Sequence, residues 1–179
     1  MQSPPPSPED FSRAPELPVF AKLDALGVTH NTTSHAPTHT VADSRHVKTD
    51  IPGGHTKNLF MKDKKGALVL VSAWAESSLP LNRLHRVLGT QRLSFTKADL
   101  LWEALRTTPG SVSAFALLHD EAGVVRFVVD KTLTTFSQVN FHPLRNDMTT
   151  TIAFADLAVF ADACGHQAEL VDFAALAAD

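Results

Sequence analysis

The pattern of hydrophobic and polar positions predicts short helices interleaved with short strands. Val19, Leu23 and Leu26 fall at helical spacing, and Gly27 follows them as a terminator, so a first helix is predicted from Glu16. Thr40 and Asp43 are spaced as in a capping box at the start of a short helix. Helices are predicted over residues 40–48, 80–89, 96–105 and 155–165 by the same kinds of signal.

Apolar runs bounded by turn residues predict the strands. Residues 58–73 resemble two strands joined by a Lys64-Lys65-Gly66 turn, while "DIPGGHTK" before them has the composition of a loop. Extended segments are also predicted over residues 28–40, 91–95, 114–118, 123–130, 138–143, 149–154 and 167–173. Strict strand–helix alternation is absent, and several strands follow one another through tight turns. The pattern therefore favours an α+β fold with a mixed sheet over a doubly wound parallel sheet.

Composition narrows the class of protein. The 179 residues are 44% hydrophobic and 20% charged, which suits one globular domain. Residues 1–15 are rich in Pro and Ser and predict a flexible arm before a single domain over 16–179. No apolar run has the length of a membrane span, and the first residues do not resemble a secretory signal. We therefore expect no membrane partner and a cytoplasmic location, which the single cysteine also fits.

Charge argues against a duplex-DNA partner. The chain has 16 basic and 19 acidic residues, a net charge of −3, whereas DNA-binding proteins usually have a basic excess. A local basic patch around one site is still compatible with this balance.

The stretch "GGHTKNLF", from Gly53 to Phe60, is the first candidate site. A nucleotide-binding P-loop has its two glycines further apart, then Lys and Ser or Thr, at a strand-to-helix junction. Here Lys57 follows Gly54 by three residues, Asn58 follows Lys57, and a strand is predicted next. A P-loop is excluded, and a glycine-rich loop that directs Lys57 is the interpretation that survives.

Metal and thiol chemistry have weaker support. His30, His35 and His39 have close spacing for a zinc site, but no cysteine or nearby carboxylate completes a tetrahedral set. Surface histidines in a Thr- and Pro-rich segment are the simpler interpretation. Cys164 lies on the apolar side of a predicted helix, where a free cysteine usually belongs to the core.

Two further segments contain candidate polar groups. In "PGSVSAF", Gly110 permits close approach of backbone N–H groups to a ligand, although an ordinary helix-to-strand turn explains it equally. Ser111 and Ser113 do not form the G-x-S-x-G pattern of a catalytic serine. In "NFHPLRN", Pro143 restricts His142 to extended geometry, and a histidine held there can serve as acid, base or hydrogen-bonding group, or be purely structural.

Read in order, these segments resemble one family. "DIPGGHTKNLFMKDKKG", "LGTQRLSF", "PGSVSAFALLHD" and "VNFHPLRNDMTTTIAFADLAVFADACGH" are similar to the YbaK/ProX family, freestanding relatives of the editing domain of bacterial prolyl-tRNA synthetases. The resemblance extends from Glu16 to Phe173. Within the family, the chain looks most like the ProX type, which deacylates alanine mischarged onto proline tRNA, with the cysteine-clearing YbaK type as the nearer alternative.

The resemblance implies a fold, an activity and a site. The fold is α+β, with a mixed, mostly antiparallel, barrel-like sheet flanked by helices. The activity is a metal-independent hydrolysis, with no cofactor, of the aminoacyl ester at the tRNA 3′ end. The required lysine of the family maps onto Lys57 and its pocket histidine onto His142, with Gly110 supplying backbone amides. Substrate-binding roles map onto the residues Asn58, Ser111, Val112, Ser113, Ala114 and Asn146.

One position departs from the family pattern. The specificity loop usually has the form G-x-x-x-P, and Ala114 stands where proline is common. This departure bears on which amino acid is cleared rather than on family membership.

Three functions thus follow from the sequence. The first is trans-editing of Ala-tRNA(Pro), in which water attacks the 3′ ester, with prolyl-tRNA synthetase as a possible partner. The second is clearance of Cys-tRNA(Pro). The third is a non-catalytic module that binds tRNA or a synthetase. Small residues challenge a synthetase because one missing methylene is worth only about 1–3 kcal/mol of discrimination, so a second hydrolytic pocket is useful.

Overall fold

A computed structural model describes residues 13–38 and 50–177. Residues 1–12 of the predicted arm, the predicted helix over 40–48 and His39 lie outside the described residues. Within the described part, no helix is both long and apolar enough to cross a bilayer.

The described helices and strands follow the mixed order that the sequence predicts. The helices are α1 (Glu16–Ala25), α2 (Leu84–Leu88), α3 (Ala98–Leu105), α4 (Phe154–Ala163) and α5 (Phe173–Ala177), with 3-10 helices at Ala114–His119 and Lys131–Thr135. The strands are β1 (His30–Ser34), β2 (Gly54–Asp63), β3 (Leu68–Trp74), β4 (Leu93–Phe95), β5 (Val125–Asp130), β6 (Gln138–Phe141), β7 (Met148–Ala153) and β8 (Ala168–Val171).

The eight strands form one mixed sheet. Its order is β1-β7-β6-β2-β3-β5-β8, and β4 pairs with β2 outside this path. The pairs β1–β7, β6–β7, β2–β3 and β2–β4 are antiparallel. The pairs β2–β6, β3–β5 and β5–β8 are parallel. The predicted α+β fold with a mixed, mostly antiparallel sheet and flanking helices is confirmed.

Alternate residues of each strand point to opposite faces of this sheet. On the first face, Phe60, Phe127, Val139 and Ile152 pack into a core with side chains from α1, α3, α4 and the 3-10 helix at Ala114–His119. On the second face, a smaller core covers only part of the sheet. That core joins strand residues to α2 and α5, and its buried members are Met61, Val69, Val71, Ala73, Leu84, Leu88, Val128, Val171, Phe173 and Leu176.

The structure corrects two assignments. The predicted loop over 50–57 is wrong from Gly54 onward, because β2 begins there and includes His55, Thr56 and Lys57. Polar composition suggested a loop, but these residues lie in a ladder with β3 and β6. The predicted strand over 114–118 is also wrong. It is a 3-10 helix whose first four residues are all buried, and an apolar run buried on every side has no periodicity to distinguish helix from strand.

Other assignments hold with shifted limits. The predicted helix over 80–89 contains α2 only from Leu84, and Gly89 follows it with a φ of 66°. The 3-10 helix at Lys131–Thr135 and the terminal helix α5 were not predicted. Both are five residues long, too short for a hydrophobic period to be visible.

Candidate active site

The pleat of β2 sets the direction of Lys57. Lys57 pairs with Ala73 of β3, whose side chain belongs to the second-face core, so Lys57 points to the second face as well. Its Nζ donates a short hydrogen bond to the carbonyl oxygen of Ser77. The ammonium is therefore held by a backbone acceptor in the turn that follows β3. Lys57 is directed by a strand, and the glycine-rich loop of the sequence interpretation is not what orients it.

A buried carboxylate organises that turn. Asp130 is fully buried, and its Oδ2 accepts hydrogen bonds from the backbone N–H of Trp74 (3.1 Å) and from the hydroxyl of Ser77 (2.6 Å). Its Oδ1 accepts from the N–H of Thr132 at 2.9 Å. Asp130 thereby fixes the residue whose carbonyl receives Lys57. Sequence reasoning missed Asp130, and its only signal was an acid at the end of the apolar strand β5.

The two glycines before Lys57 allow the backbone to pack closely against residues 136–138. Gly53 has a φ of 106°, which favours glycine, and a Cβ there would lie 2.9 Å from the carbonyl oxygen of Gln138. A Cβ on Gly54 would lie 2.7 Å from the ring of Phe136. These contacts let the start of β2 approach the start of β6 closely.

Pairing between β2 and β6 brings His142 to the same region. In this parallel register Gly54 pairs with Val139 and His55 with Asn140. Lys57 lies two residues after His55, and His142 lies two residues after Asn140. Because side chains alternate between faces, both are directed to the second face, like the paired His55 and Asn140. The Thr56 hydroxyl strengthens this pairing by donating to the carbonyl of Asn140 at 2.7 Å.

The hydrogen bonds of His142 define its tautomer. Its Nδ1 lies 2.7 Å from the carbonyl oxygen of Met148, which can only accept, so Nδ1 carries the proton. In the neutral ring Nε2 is then an acceptor, and it has the Thr38 hydroxyl at 3.5 Å. Burial lowers the pKa of His142. The positive forms of His35 and His55 also lower it, while the bond to Met148 and the charge of Asp147 act in the opposite direction. His142 therefore presents a neutral Nε2 lone pair near neutral pH.

The strands beside His142 place more polar groups on the second face. Asn140 pairs with Thr151, whose hydroxyl donates to the Asn140 side-chain oxygen at 2.5 Å. The His35 Nε2 lies 2.8 Å from the Thr149 hydroxyl, and the His35 and His142 rings are 6.1 Å apart. We call the following residues the polar face: His35, His55, Lys57, Asn140, His142, Thr149 and Thr151.

The segment after His142 is held firmly. Leu144 is buried and has a φ of 65°, a left-handed conformation that is costly for leucine. Arg145 donates to both oxygens of Asp147 at 2.6 and 2.7 Å and to Glu16 of α1 at 2.9 Å. The bidentate contact with Arg145 lowers the pKa of Asp147, against the effect of burial. These contacts fix the turn from which His142 projects.

Asn146, predicted to bind substrate, lies in this turn. Its side-chain amide donates to the Thr38 carbonyl at 3.4 Å, and its own carbonyl accepts from the Thr38 N–H at 3.1 Å. These contacts tie the turn to the end of the first described segment. A role in substrate binding stays a prediction.

The predicted specificity loop lies between α3 and the 3-10 helix. Gly110 has a φ of 88°, Thr107 donates to the Ser111 carbonyl at 3.2 Å, and Ser113 caps the 3-10 helix by accepting from the Phe115 N–H at 3.1 Å. Among residues 13–38 and 50–177, no acceptor lies on the N–H groups of Val112 and Ser113. Val112 is partly exposed and Ser113 is completely buried, so of the two residues only Val112 has surface accessible to a ligand.

The loop leads into aromatic packing against β6 on the first face of the sheet, opposite the face that carries His142. The rings of Phe115 and Phe141 are 5.5 Å apart, and His142 follows Phe141 directly. Ala114, at the usual proline position, is completely buried beside Phe115. Convergence of the Gly110–Ser113 amides with Lys57 stays a prediction.

Asn58 is separated from Lys57 by the same pleat that orients the lysine. It pairs with Ser72, and its side-chain oxygen accepts from the Ser72 hydroxyl at 2.5 Å. Its side-chain amide donates to the Thr56 hydroxyl at 3.2 Å. Both partners lie on the first face, so the structure does not bring Asn58 together with Lys57.

The remaining candidates have structural partners. His30 contacts Asp24 at 2.7 Å and stacks on Phe20. Burial raises the pKa of the Cys164 thiol, and its side chain packs against the first-face core, in agreement with the structural interpretation. Within the described segments no group of three histidine, cysteine or acidic side chains is placed to hold a metal ion.

Besides Asp130 and Ser77, sequence reasoning missed His55, Asn140 and the two threonines of the polar face. His55 donates from Nε2 to the Ile51 carbonyl at 2.8 Å, and Asn140 donates to the Pro52 carbonyl at 3.0 Å. Their positions depend on strand pairing between distant segments, for which a single sequence carries no local signal.

Comparison with known proteins identifies relatives of this chain. Residues 35–160 match the family described as the aminoacyl-tRNA editing domain. The chain is 33% identical over 155 residues to the prolyl-tRNA editing protein ProX of Acetoanaerobium sticklandii, covering 86% of this chain and 94% of that protein. It is 33% identical over 160 residues to the prolyl-tRNA synthetase associated domain-containing protein 1 of Danio rerio, covering 88% and 86%.

Solved structures share the fold. A crystal structure assigned provisionally as a trans-editing enzyme for prolyl tRNA synthetase superposes with a TM-score of 0.69 at 17% identity, over 88% of this chain and 96% of that one. At this identity the likeness supports the fold alone. The sequence match covers most of the described chain, including Lys57, the Gly110 loop and His142. The chain therefore belongs to the aminoacyl-tRNA editing domain family.

Proposed function

We propose that this chain hydrolyses mischarged aminoacyl-tRNA in trans, and that alanine on proline tRNA is its substrate. The observation that supports the proposal best is the β2–β6 register, which directs Lys57 and His142 to the same face of the sheet, in a chain of the editing family. The name of the related ProX protein supports prolyl-tRNA as the nucleic acid, and prolyl-tRNA synthetase as the enzyme whose errors are corrected.

The substrate is an activated ester, so the barrier to hydrolysis that the protein must lower is smaller than for an amide. A water oxygen attacks the carbonyl carbon of the aminoacyl group, the bond to the ribose oxygen breaks, and that oxygen takes a proton. The products are a free amino acid and a tRNA with an intact 3′ end. The neighbouring ribose hydroxyl of the substrate serves to activate the water, so positioning and charge stabilisation account for the protein's contribution.

Lys57 supplies the positive charge. Its ammonium is compact and has three donors, of which one is directed to the Ser77 carbonyl. The charge of this ammonium is suited to the terminal phosphate or to the carbonyl end of the substrate. Because Asp130 fixes Ser77, this cation is positioned before the substrate arrives.

His142 supplies an acceptor. With Nδ1–H bonded to Met148, its neutral Nε2 suits a ribose hydroxyl or the amino group of the substrate. The N–H group of Val112, in the partly exposed loop after Gly110, is the proposed donor for the negative charge that develops on the carbonyl oxygen. Removing one donor of that kind typically lowers kcat by about 100-fold or more.

Deacylation assays with proline tRNA charged with alanine, cysteine or proline test the function. The expected result is rapid release of alanine, slow release of proline, and loss of activity in Lys57→Ala. Preferential release of cysteine would replace the alanine assignment with the YbaK-type one. Binding of tRNA without hydrolysis of any of the three esters would contradict the deacylase and favour the non-catalytic module.

A further inference from the structure

The strand β2, which contains Lys57 of the polar face, also pairs with β4, where Phe95 is exposed. β3 occupies one edge of β2 from Thr56 to Lys62. The opposite edge pairs with β6 at Gly54 and His55 and with β4 from Met61 to Asp63. Lys57 thus lies between β6 and β4 on that edge.

Phe95 stands at the β4 end of this edge. It pairs with Met61, an odd-numbered position of β2 like Lys57, so its side chain projects from the same second face. The Thr96 N–H donates to the Phe60 carbonyl at 3.3 Å and holds β4 in place. Met61 lies four positions after Lys57 in the same strand, a distance of about 13 Å. Phe95 is 56% exposed, unusual for a phenylalanine held in a paired strand.

Basic side chains predominate in the segment that contains Phe95. From Ser77 to Ala98 the chain has four basic residues and no acidic one, whereas the whole chain has an acidic excess. Arg92 and Lys97 flank Phe95 closely and are exposed, as is Arg86 of α2. Among the described residues, none of these three forms an ion pair with a carboxylate.

Two acids lie near this edge: Asp99 is exposed at the start of α3, four residues after Phe95, whereas Asp63 of β2 is turned inward. Asp63 is buried, and its carboxylate accepts from the N–H groups of Lys65, Ala67 and Gln91 at 2.8–3.2 Å. Burial raises the pKa of Asp63, but these hydrogen bonds outweigh that effect and lower it, so the carboxylate stays ionised as an internal anchor of the turn. It ties residue 91, and with it Arg92, to the β2–β3 turn.

An exposed aromatic ring between cations fits an unpaired nucleic-acid strand, because a base stacks on the ring while the cations neutralise phosphates. We propose that Phe95, Arg92 and Lys97 bind the unpaired nucleotides next to the terminal adenosine of the tRNA. The proposal rests on the proposed function, in which that adenosine sits at Lys57. The separation of about 13 Å leaves room for a short run of nucleotides between the two points.

The test compares two substrates that differ in length. One is alanyl-tRNA(Pro), and the other is 3′-alanyl-adenosine, which lacks every nucleotide before the terminal one. In Phe95→Ala the ratio of kcat/KM for the tRNA to that for the adenosine ester is expected to fall by about 5- to 100-fold. Phe95→Tyr keeps a ring and is expected to keep the ratio. Leu170→Ala, a change at an equally exposed apolar residue of β8 without flanking cations, is the matched control and should leave the ratio unchanged.

Salt dependence separates stacking from charge. Arg92→Ala and Lys97→Ala are each expected to reduce the slope of log KM against log salt by roughly 0.7, the value for one phosphate contact on a single strand. Phe95→Ala should leave that slope unchanged. An unchanged ratio in folded Phe95→Ala would overturn the proposal, as would an equal loss on both substrates. Self-association or synthetase binding that is lost in this variant while the ratio is kept would assign the surface to a protein partner instead.

A failure of the proposed deacylase function can be distinguished from a failure of the proposed nucleotide-binding surface. If the unchanged protein hydrolyses neither substrate, the binding of uncharged tRNA still tests the surface. Weaker binding of Phe95→Ala than of Phe95→Tyr would support it, and equal binding would overturn it.

Discussion

The two faces of the sheet use the same strands for different purposes. On the first face, β2, β6 and β7 contribute Phe60, Phe141 and Ile152 to the apolar core. On the second face the same strands present Lys57, Asn140 and Thr151. A one-residue step along a strand therefore changes a core position into a site position. Core residues and candidate site residues thus alternate along the same strands. Substitutions at neighbouring positions should therefore affect either the free energy of unfolding or the activity, but not both equally.

The largest effect is expected at Phe141, on the core side of His142. Phe141 is buried, and its ring lies 5.5 Å from that of Phe115. Phe141→Ala should lower the free energy of unfolding by about 3–5 kcal/mol, because it removes apolar contacts and leaves a cavity. Urea denaturation measures this, with Leu170→Ala as an exposed control. A loss below about 1 kcal/mol would contradict the assignment of Phe141 to the core.

Lys57 should show the opposite behaviour. Lys57→Ala is expected to lower kcat/KM for alanyl-tRNA(Pro) by about 100-fold, the typical loss for one charge-stabilising donor, with little change in melting temperature. Lys57→Arg tests whether charge alone suffices, since a planar guanidinium cannot reproduce a compact ammonium bonded to Ser77. Retention of activity in Lys57→Ala would remove this residue from the reaction.

The sequence predicted the elements with clear periodicity and missed the ones decided by packing. Val19 and Leu23 revealed α1, and Gly27 its end, because helical spacing is a local signal. The start of β2 at Gly54 was missed because polar residues there are extended only through pairing with β3 and β6. The 3-10 helix at Ala114–His119 differs from the predicted strand because its first four residues are buried and show no periodicity that distinguishes the two.

The candidate site divides in the same way. Glycine and proline neighbours mark Lys57, Gly110 and His142 as candidates in the sequence, whereas their roles come from the resemblance to a family and stay predictions. Asp130 had no motif, because its importance depends on contacts with Trp74 and Ser77 more than fifty residues away. Asn58 came with the Lys57 motif, yet the strand pleat points it to the other face.

Substitution of Asn58 therefore tests the difference between the two faces of the sheet most directly. Removing its side chain leaves the fully buried Ser72 hydroxyl without the acceptor it has at 2.5 Å, so Asn58→Ala should cost about 1 kcal/mol or somewhat more of stability. Activity measured well below the melting temperature should fall far less than in Lys57→Ala. Adding Ser72→Ala should restore part of the stability, because both partners are then apolar. An inactive but fully stable Asn58→Ala would instead support its predicted role in substrate binding.

The smallest expected effect is the pH dependence set by His142. Burial holds its pKa below the ordinary value of 6.5, so the ring is neutral near pH 7 and Nε2 accepts a hydrogen bond. As pH falls through the lowered folded-state pKa, Nε2 gains a proton and kcat/KM should decline. The unfolded chain binds that proton already near 6.5, so the contribution of His142 to stability also decreases as pH falls below 6.5. His142→Gln should lack both trends, and profiles from about pH 5 to about pH 8 measure the difference. An acid limb of unchanged midpoint in His142→Gln would assign that titration to the substrate or to another group.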